Sequence, residues 1–503
     1  MTRALLACLA LVVTAACGTT VPAAQQADSL NNGLGTPTTQ SGSQPGAATT
    51  AATGLTPAQV RAAGTSAAQA QAQAEAHQQG QLVSGAVASG VPAKGRGWDQ
   101  HTIWIGVLTQ KDFEKTFASV GYSGIDPGDT AAQAQAVVDQ VNRAGGVLGR
   151  KVVIKTYDVP TLSSAQNPDQ AGQEVCTYFT QDQPVVAVFN VIHTVDKTTF
   201  RSCLAQRHVP LFNAALSVVS RADAAKLAPY FYSLGTPTWD VLAPVLVQRL
   251  RAQGYFSGWD ARLGQPSPAT PPVVGVLVAD SPLGHADEAI ITANLKAAGY
   301  TKVVTFAYPP PGSDIDGAVL NFAQNGVTHV ISDDIELVTF QIHAQGQNYR
   351  PRYGIHTYNA PSANLEALGP KSQQVGEVGV GWGPTFDVSA GNDPGAFDSG
   401  VTACKTAMDK EHVTSSDRLA EADALLVCDA IRFGVAGMLT GHGLTAAQMF
   451  AGAVREGRSF APAFTFSAGF TSNRLFLPAS VRDLAWNVGC SCFRYVGSTR
   501  TRM

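Results

Sequence analysis

Thr102-Ile103-Trp104-Ile105-Gly106-Val107-Leu108 is a nearly unbroken apolar run, residues 129–142 then repeat apolar positions at helical spacing, and Lys151-Val152-Val153-Ile154-Lys155-Thr156-Tyr157 is a second short run. Ala144-Gly145-Gly146 supplies the helix stop between them. A strand buried on both faces, a helix and another strand make one βαβ unit. Further along, helical segments at 170–180 and 197–207 lead into Pro184-Val185-Val186-Ala187-Val188-Phe189 and Val209-Pro210-Leu211-Phe212. After Trp239 the alternation repeats, with helices at 241–253, 286–298, 315–325 and 337–348 and strands at 273–278, 302–306, 328–331 and 353–356. The pattern predicts an α/β protein with two doubly wound parallel sheets, each covered by helices on both faces. Only a short loop at 237–240 separates the two units, and Ala-rich helices resume after Asp398, so the chain is expected to cross between units more than once.

Length agrees with two units. The chain has 503 residues, whereas a single core stops growing near about 250–300 residues. Charged residues are 14% of the total, against about 25% in an ordinary soluble domain, and the formal net charge is −3. With 34 Lys and Arg against 37 Asp and Glu, and no basic run, there is no electrostatic footprint for nucleic acid or an anionic membrane surface. A mean hydropathy of +0.03 argues against a multi-span membrane protein.

The first hundred residues differ from the rest. Arg3 precedes an apolar run at 4–13 that is too short to span a bilayer, the pattern of an export signal. Thr14-Ala15-Ala16-Cys17-Gly18 resembles the lipobox of bacterial lipoproteins, which makes Cys17 the acylated membrane anchor; the competing reading is ordinary cleavage near Ala16 with Cys17 incidental. Residues 18–97 are Ala, Gln, Gly, Ser, Thr and Pro with few charges, a composition that cannot bury enough apolar surface to offset its ordering entropy. It reads as a tether with a random-coil reach of about 50 Å. Thr56-Pro57-Ala58-Gln59 has the form of a capping box, so a fluctuating helix is expected within it.

Val141-Asn142-Arg143-Ala144-Gly145-Gly146-Val147-Leu148-Gly149-Arg150-Lys151-Val152 is similar to the N-x-x-G-G-(V/I)-x-G-(R/K)-x-(V/L) signature of solute-binding proteins of the branched-chain amino-acid transporter class. Tyr232-Ser233-Leu234-Gly235-Thr236-Pro237 sits where that family crosses to its second lobe, residues 276–284 resemble its strand and aromatic-Gly turn, and Ala422-Asp423-Ala424 resembles its Tyr-Asp-Ala helix with Ala422 replacing Tyr. The resemblance implies a type I periplasmic-binding-protein fold, two lobes that close on a ligand by hinge motion. The expected division is a leader at 1–17, a tether at 18–97, one lobe from 98–236 and 385–465, and the other from 237–384 and 466–503.

Leaving aside Cys8 in the leader and Cys17, six of the eight cysteines remain in an oxidising setting. Cys176 and Cys203 fall on helices flanking one strand, a placement common for a disulfide in the resembled family, and Cys404 and Cys428 lie on consecutive helices as a second expected pair. Cys490-Ser491-Cys492 would put both sulfurs on one face of a predicted strand, where direct bridging is strained.

In open α/β sheets ligands bind beyond the carboxyl ends of the strands. The candidates are therefore the loops there: Gln110 and Phe113 after the first strand, Asn190 and His193 after the third, and Asn213, Ala215 and Ser217 after the fourth. The last three match a small, Ser/Thr-rich turn that holds a ligand carboxylate in the resembled family, although Leu216 departs from its pattern. In the second unit Asp280 and Leu283 follow a strand, with Leu283 where the family places an aromatic ring; Trp239, Tyr358 or Trp382 is expected to supply that wall instead. Ser332-Asp333-Asp334-Ile335-Glu336 could hold an ammonium or sugar hydroxyls through Asp334, while Asp333 and Glu336 also have capping-box spacing. His193, His285, His329, His343 and His356 lack metal-site spacing, Gly145-Gly146 is not followed by a phosphate-loop Lys, and no Gly-x-Ser-x-Gly elbow occurs, so no metal, cofactor or catalytic residue is expected.

The expected function is capture of a small polar ligand, an amino acid, amide or similar, by an exported, lipid-anchored monomer that delivers it to an ABC permease. A ligand-sensing or cell-envelope scaffold lipoprotein of the same fold, with no transport role, is the alternative.

Overall fold

The computed structural model describes residues 91–119, 126–217, 219–309, 313–392 and 399–503; the leader, Cys17 and most of the tether lie outside them. The first sheet contains β1 (Thr102–Thr109), β2 (Lys151–Asp158), β3 (Val188–Asn190), β4 (Leu211–Asn213) and β5 (Phe231–Ser233), all parallel in the order β2-β1-β3-β4-β5. The second contains β6 (Val274–Ala279), β7 (Val303–Tyr308), β8 (His329–Ser332), β9 (Arg352–His356), β10 (Val378–Gly381), β11 (Ser480–Asn487) and β12 (Cys492–Tyr495) in the order β12-β11-β10-β9-β8-β6-β7, with β13 (Thr501–Arg502) paired to β11. Its first five strands are parallel: four are those the alternation predicts, and β10 is a further strand that the sequence reading did not identify. Its far edge is antiparallel: β11 runs against β10 and β12 against β11. That edge closes with a hairpin rather than a helical crossover, so it carries no βαβ pattern to detect.

The opening βαβ unit shows why its sequence is so restrictive. β1 and β2 pair in register from Thr102 opposite Lys151 to Thr109 opposite Asp158, with α1 (Thr130–Arg143) connecting them. Asn142 at the end of α1 donates Nδ2 to Val152 O at 2.9 Å and accepts from Val152 N at 2.8 Å, locking helix to strand. Gly146 has φ +76°, and a Cβ there would stand 2.0 Å from Arg150 O, so glycine is required both by conformation and by space. Buried Arg150 donates to Asp99 O and Leu148 O at 2.7 and 3.2 Å. The signature is thus a structural clamp.

Three helices follow the second sheet's parallel strands: α6 (Ser399–Lys410), α7 (Arg418–Thr440) and α8 (Ala446–Glu456). They return to the first sheet, where α6 and α7 pack on α1 and α7 covers β3 and β4. The chain then comes back alongside β5, where Ser233 N donates to Leu475 O and Leu477 N to Ser233 O at 2.9 and 2.8 Å, before entering β11. Asp429 on α7 anchors this passage by accepting from Ala463 N and Phe464 N at 2.8 and 2.9 Å.

Both expected disulfides form: Cys176–Cys203 joins α2 (Pro168–Thr177) to α3 (Thr198–Gln206), and Cys404–Cys428 joins α6 to α7. Cys490 and Cys492 are also bridged. The strain expected of that pair assumed a strand through both residues. In fact β12 begins only at Cys492, and Ser491 takes φ +50° in a turn that brings the sulfurs together. The loop expected at 237–240 is also shorter than the sequence suggests, because α4 (Trp239–Ala252) starts at Trp239. Among the described residues no helix is long and apolar enough to cross a membrane.

Candidate functional site

Loops at the carboxyl ends of the two sheets meet each other. Tyr358, in the turn after β9, places its hydroxyl 3.3 Å from Nδ1 of His193, which follows β3. Trp382, after β10, donates Nε1 to Gly235 O, after β5, at 2.8 Å. The strand ends of the two sheets therefore face one another across a cleft, the position in which open α/β sheets bind ligands. His193 Nδ1 also lies 3.1 Å from Leu216 O; a carbonyl only accepts, so this nitrogen carries the proton. Burial and the nearby Lys197 charge hold the imidazole below its ordinary pKa, favouring the neutral ring.

On the first wall, Asn190 and Asn213 end adjacent parallel strands in register, so their side chains stand side by side. Asn190 Nδ2 donates to Asn213 Oδ1 at 2.9 Å, and Asn213 Nδ2 donates to Asp196 Oδ2 at 2.7 Å. Arg201 grips the same carboxylate twice, with Nε to Oδ1 at 2.6 Å and Nη2 to Oδ2 at 2.7 Å. The Ser217 hydroxyl donates to Asp196 Oδ2 and receives Arg201 Nη2 at 3.0 Å. All five side chains are buried. The N–H of Ala215 is taken as well, by Asn190 O at 3.0 Å. The turn expected to hold a ligand carboxylate is occupied by a carboxylate of the chain itself.

The opposite wall is acidic. Asp334 is well partnered: Tyr308 Oη donates to its Oδ2 at 3.1 Å and Ile335 N to its Oδ1 at 2.6 Å. Asp333, 5% exposed, and Asp287 on α5 (Pro282–Ala297), 2% exposed, each keep an Oδ1 with no hydrogen-bond partner. The helix after β8 begins at Leu337 with no side-chain cap, so Asp333 does not perform the capping role its spacing suggests. Burial, then the neighbouring Asp334, pushes both carboxyls well above the usual range. Glu336 is raised to about 7 by burial and the same neighbour. Asp333 lies in the loop at the carboxyl end of β8, and Asp287 lies on the helix that follows β6, the neighbouring strand.

Around the His193–Tyr358 contact the structure brings together Asn190, His193, Asn213, Ala215, Ser217, Asp334 and Tyr358 from the sequence candidates. Trp239 and Trp382 are fully buried around His356, Trp239 edge-on at 5.2 Å and Trp382 stacked at 6.3 Å, which makes them packing beside the cleft. Asp280 turns outward to pair with His285 Nε2 at 2.9 Å. Gln110 directly follows β1 with a buried Nε2 that has no partner, Phe113 opens a short helix, and Leu283 is half-buried in the first turn of α5. Sequence reasoning missed Asp196, Arg201 and Asp287. Asp287 left a signal, since Gly284, Asp287, Ile291 and Leu295 form the buried stripe of α5 and a carboxylate interrupts it. Among the described residues no group of three His, Cys, Asp or Glu is placed to hold a metal ion.

A family profile described as periplasmic binding protein matches residues 117–375. Comparison with curated proteins finds no match. Among solved structures, an ABC transporter substrate-binding protein from Desulfitobacterium hafniense in complex with Leu has a TM-score of 0.52 at 15% identity, covering 79% of this chain and 100% of that one. A fatty acid ABC transporter substrate-binding protein from Thermomonospora curvata has a TM-score of 0.58 at 15% identity, covering 82% and 96%. The branched-chain amino acid transporter substrate-binding protein LivJ from Streptococcus pneumoniae, in complex with isoleucine, has a TM-score of 0.52 at 12% identity, covering 80% and 100%.

Proposed function

This chain belongs to the periplasmic binding protein family, an extracytoplasmic and non-enzymatic family, and from that premise we propose that it captures a small polar solute between its two lobes and delivers it to an ABC permease. The observation that carries this reading is the contact of His193 with Tyr358 across facing strand ends, beside buried polar groups that still lack partners. Similar structures are described as binding Leu, isoleucine or fatty acid, which supports a small organic solute as the ligand. The leader and the Thr14-Ala15-Ala16-Cys17 stretch support anchoring through a lipid on Cys17, with residues 18–97 as the tether and a monomer as the working form. The lobes of this proposal are 98–236 with 385–465, and 237–384 with 466–503.

Closure on a ligand lowers the radius of gyration, and a ligand that stabilises the closed form favours that state in proportion to its differential affinity. Calorimetric titration of the purified chain with amino acids, amides, amines, polyols and fatty acids, paired with X-ray scattering, tests the proposal. Heat with compaction for one class is expected; neither, for any class, overturns it.

A further inference from the structure

We propose, resting on solute capture in this cleft, that the ligand is an organic amine recognised through its ammonium group and not through a carboxylate. The turn after β4 has its side-chain donors and the Ala215 N–H already engaged: Arg201, Ser217 and Asn213 are all spent on Asp196, and the Ala215 N–H on Asn190 O. A ligand carboxylate in that turn would meet the Asp196 carboxylate and find no compensating hydrogen bond, a combination that rejects strongly because buried charge without a partner is costly.

The second wall presents the opposite need. Asp333 Oδ1 and Asp287 Oδ1 are acceptors inside the protein with nothing to accept from. Each is more than nine-tenths buried, and they belong to the segments that follow two neighbouring strands, β8 and β6, at the carboxyl end of the sheet. A buried acceptor left empty is unfavourable until a donor arrives. An ammonium brings three N–H donors and a positive charge, so it can fill such an empty acceptor through a charge-assisted bond. Tyr308 donates its hydroxyl to the neighbouring Asp334, and an aromatic ring next to acidic groups favours a cation further.

The test is calorimetric titration of the purified full chain with putrescine, L-leucine and octanoate, with scattering on the same samples. Putrescine is expected to bind and compact the molecule, with L-leucine and octanoate each at least about 100-fold weaker. Asp333→Asn and Asp287→Asn should each weaken putrescine at least about tenfold while leaving the melting temperature unchanged or higher, which separates recognition from a role in folding. Binding of L-leucine or octanoate more tightly than putrescine overturns the amine assignment and leaves solute capture standing. Putrescine affinity untouched by both substitutions overturns it too. No binding or compaction with any of the three overturns the amine assignment, and silence across the wider panel removes the capture reading with it.

Discussion

Glu377 is 1% exposed, accepts from Gln341 Nε2 through Oε1, and has no partner for Oε2. Burial holds its carboxyl well above the ordinary range, partly offset by Gln341 and Lys371. A group whose folded pKa is raised contributes stability that is fully present below its unfolded pKa, near about 4.3, and is lost as pH rises through the raised value. Glu377→Gln keeps the shape and removes the titration, so at pH 8 it should be more stable than the parent by about 1–3 kcal/mol, with a flatter dependence between pH 5 and 8. Urea unfolding across that range checks it; a variant less stable at pH 8 refutes the assignment. At this scale the signature Asn142 and Gly146 were legible in the chain, because the interactions they make lie within ten residues.

The pair formed by Asp196 and Arg201 belongs to the scale of elements, since it ties the loop after β3 to α3 and, through Ser217 and Asn213, to the end of β4. Arg201→Met leaves Asp196 buried and uncompensated, which should cost about 3–5 kcal/mol in denaturant unfolding, and adding Asp196→Asn should recover part of that loss. Equal stability of the single variant and the parent would show that water, not Arg201, satisfies the carboxylate. The strands and helices themselves were readable from apolar periodicity. Predicted helices at 129–142 and 315–325 are observed as Thr130–Arg143 and Ile315–Gln324. Harder to read were β5 at three residues and the antiparallel edge at β11 and β12, where short length or hairpin connection removes the periodic signal.

For the whole molecule, the contact between His193 and Tyr358 is one of the points at which the two sheets' strand ends touch. Tyr358→Ala removes both the hydrogen bond and the ring packing at 5.9 Å, so the variant should populate a more open form, with a larger radius of gyration in scattering and ligand affinity weakened about tenfold or more. An unchanged radius would mean that packing around Trp382 and Gly235 alone sets the lobe angle. His193 was a candidate from its place after a strand and Tyr358 from its place in a loop, yet nothing in either neighbourhood says that they meet. They are separated by 165 positions.

Apart from the pair Cys176–Cys203, which the resemblance implied, the chain alone carries the α/β alternation, two sheets, the helix stop at Gly145-Gly146 and the consecutive helices that bear Cys404 and Cys428. Each of these rests on spacing within one segment or on elements that follow one another, where strand and helix geometry convert position in the chain into position in space. Only the tertiary structure decided that Ser217 serves Asp196 in place of a ligand, that Asp280 faces solvent, and that Asp287 and Asp333 stand buried with an acceptor to spare. The physical reason is that a polar side chain's role depends on which partners remain unsatisfied once everything around it has packed, and that balance is struck between residues from different elements.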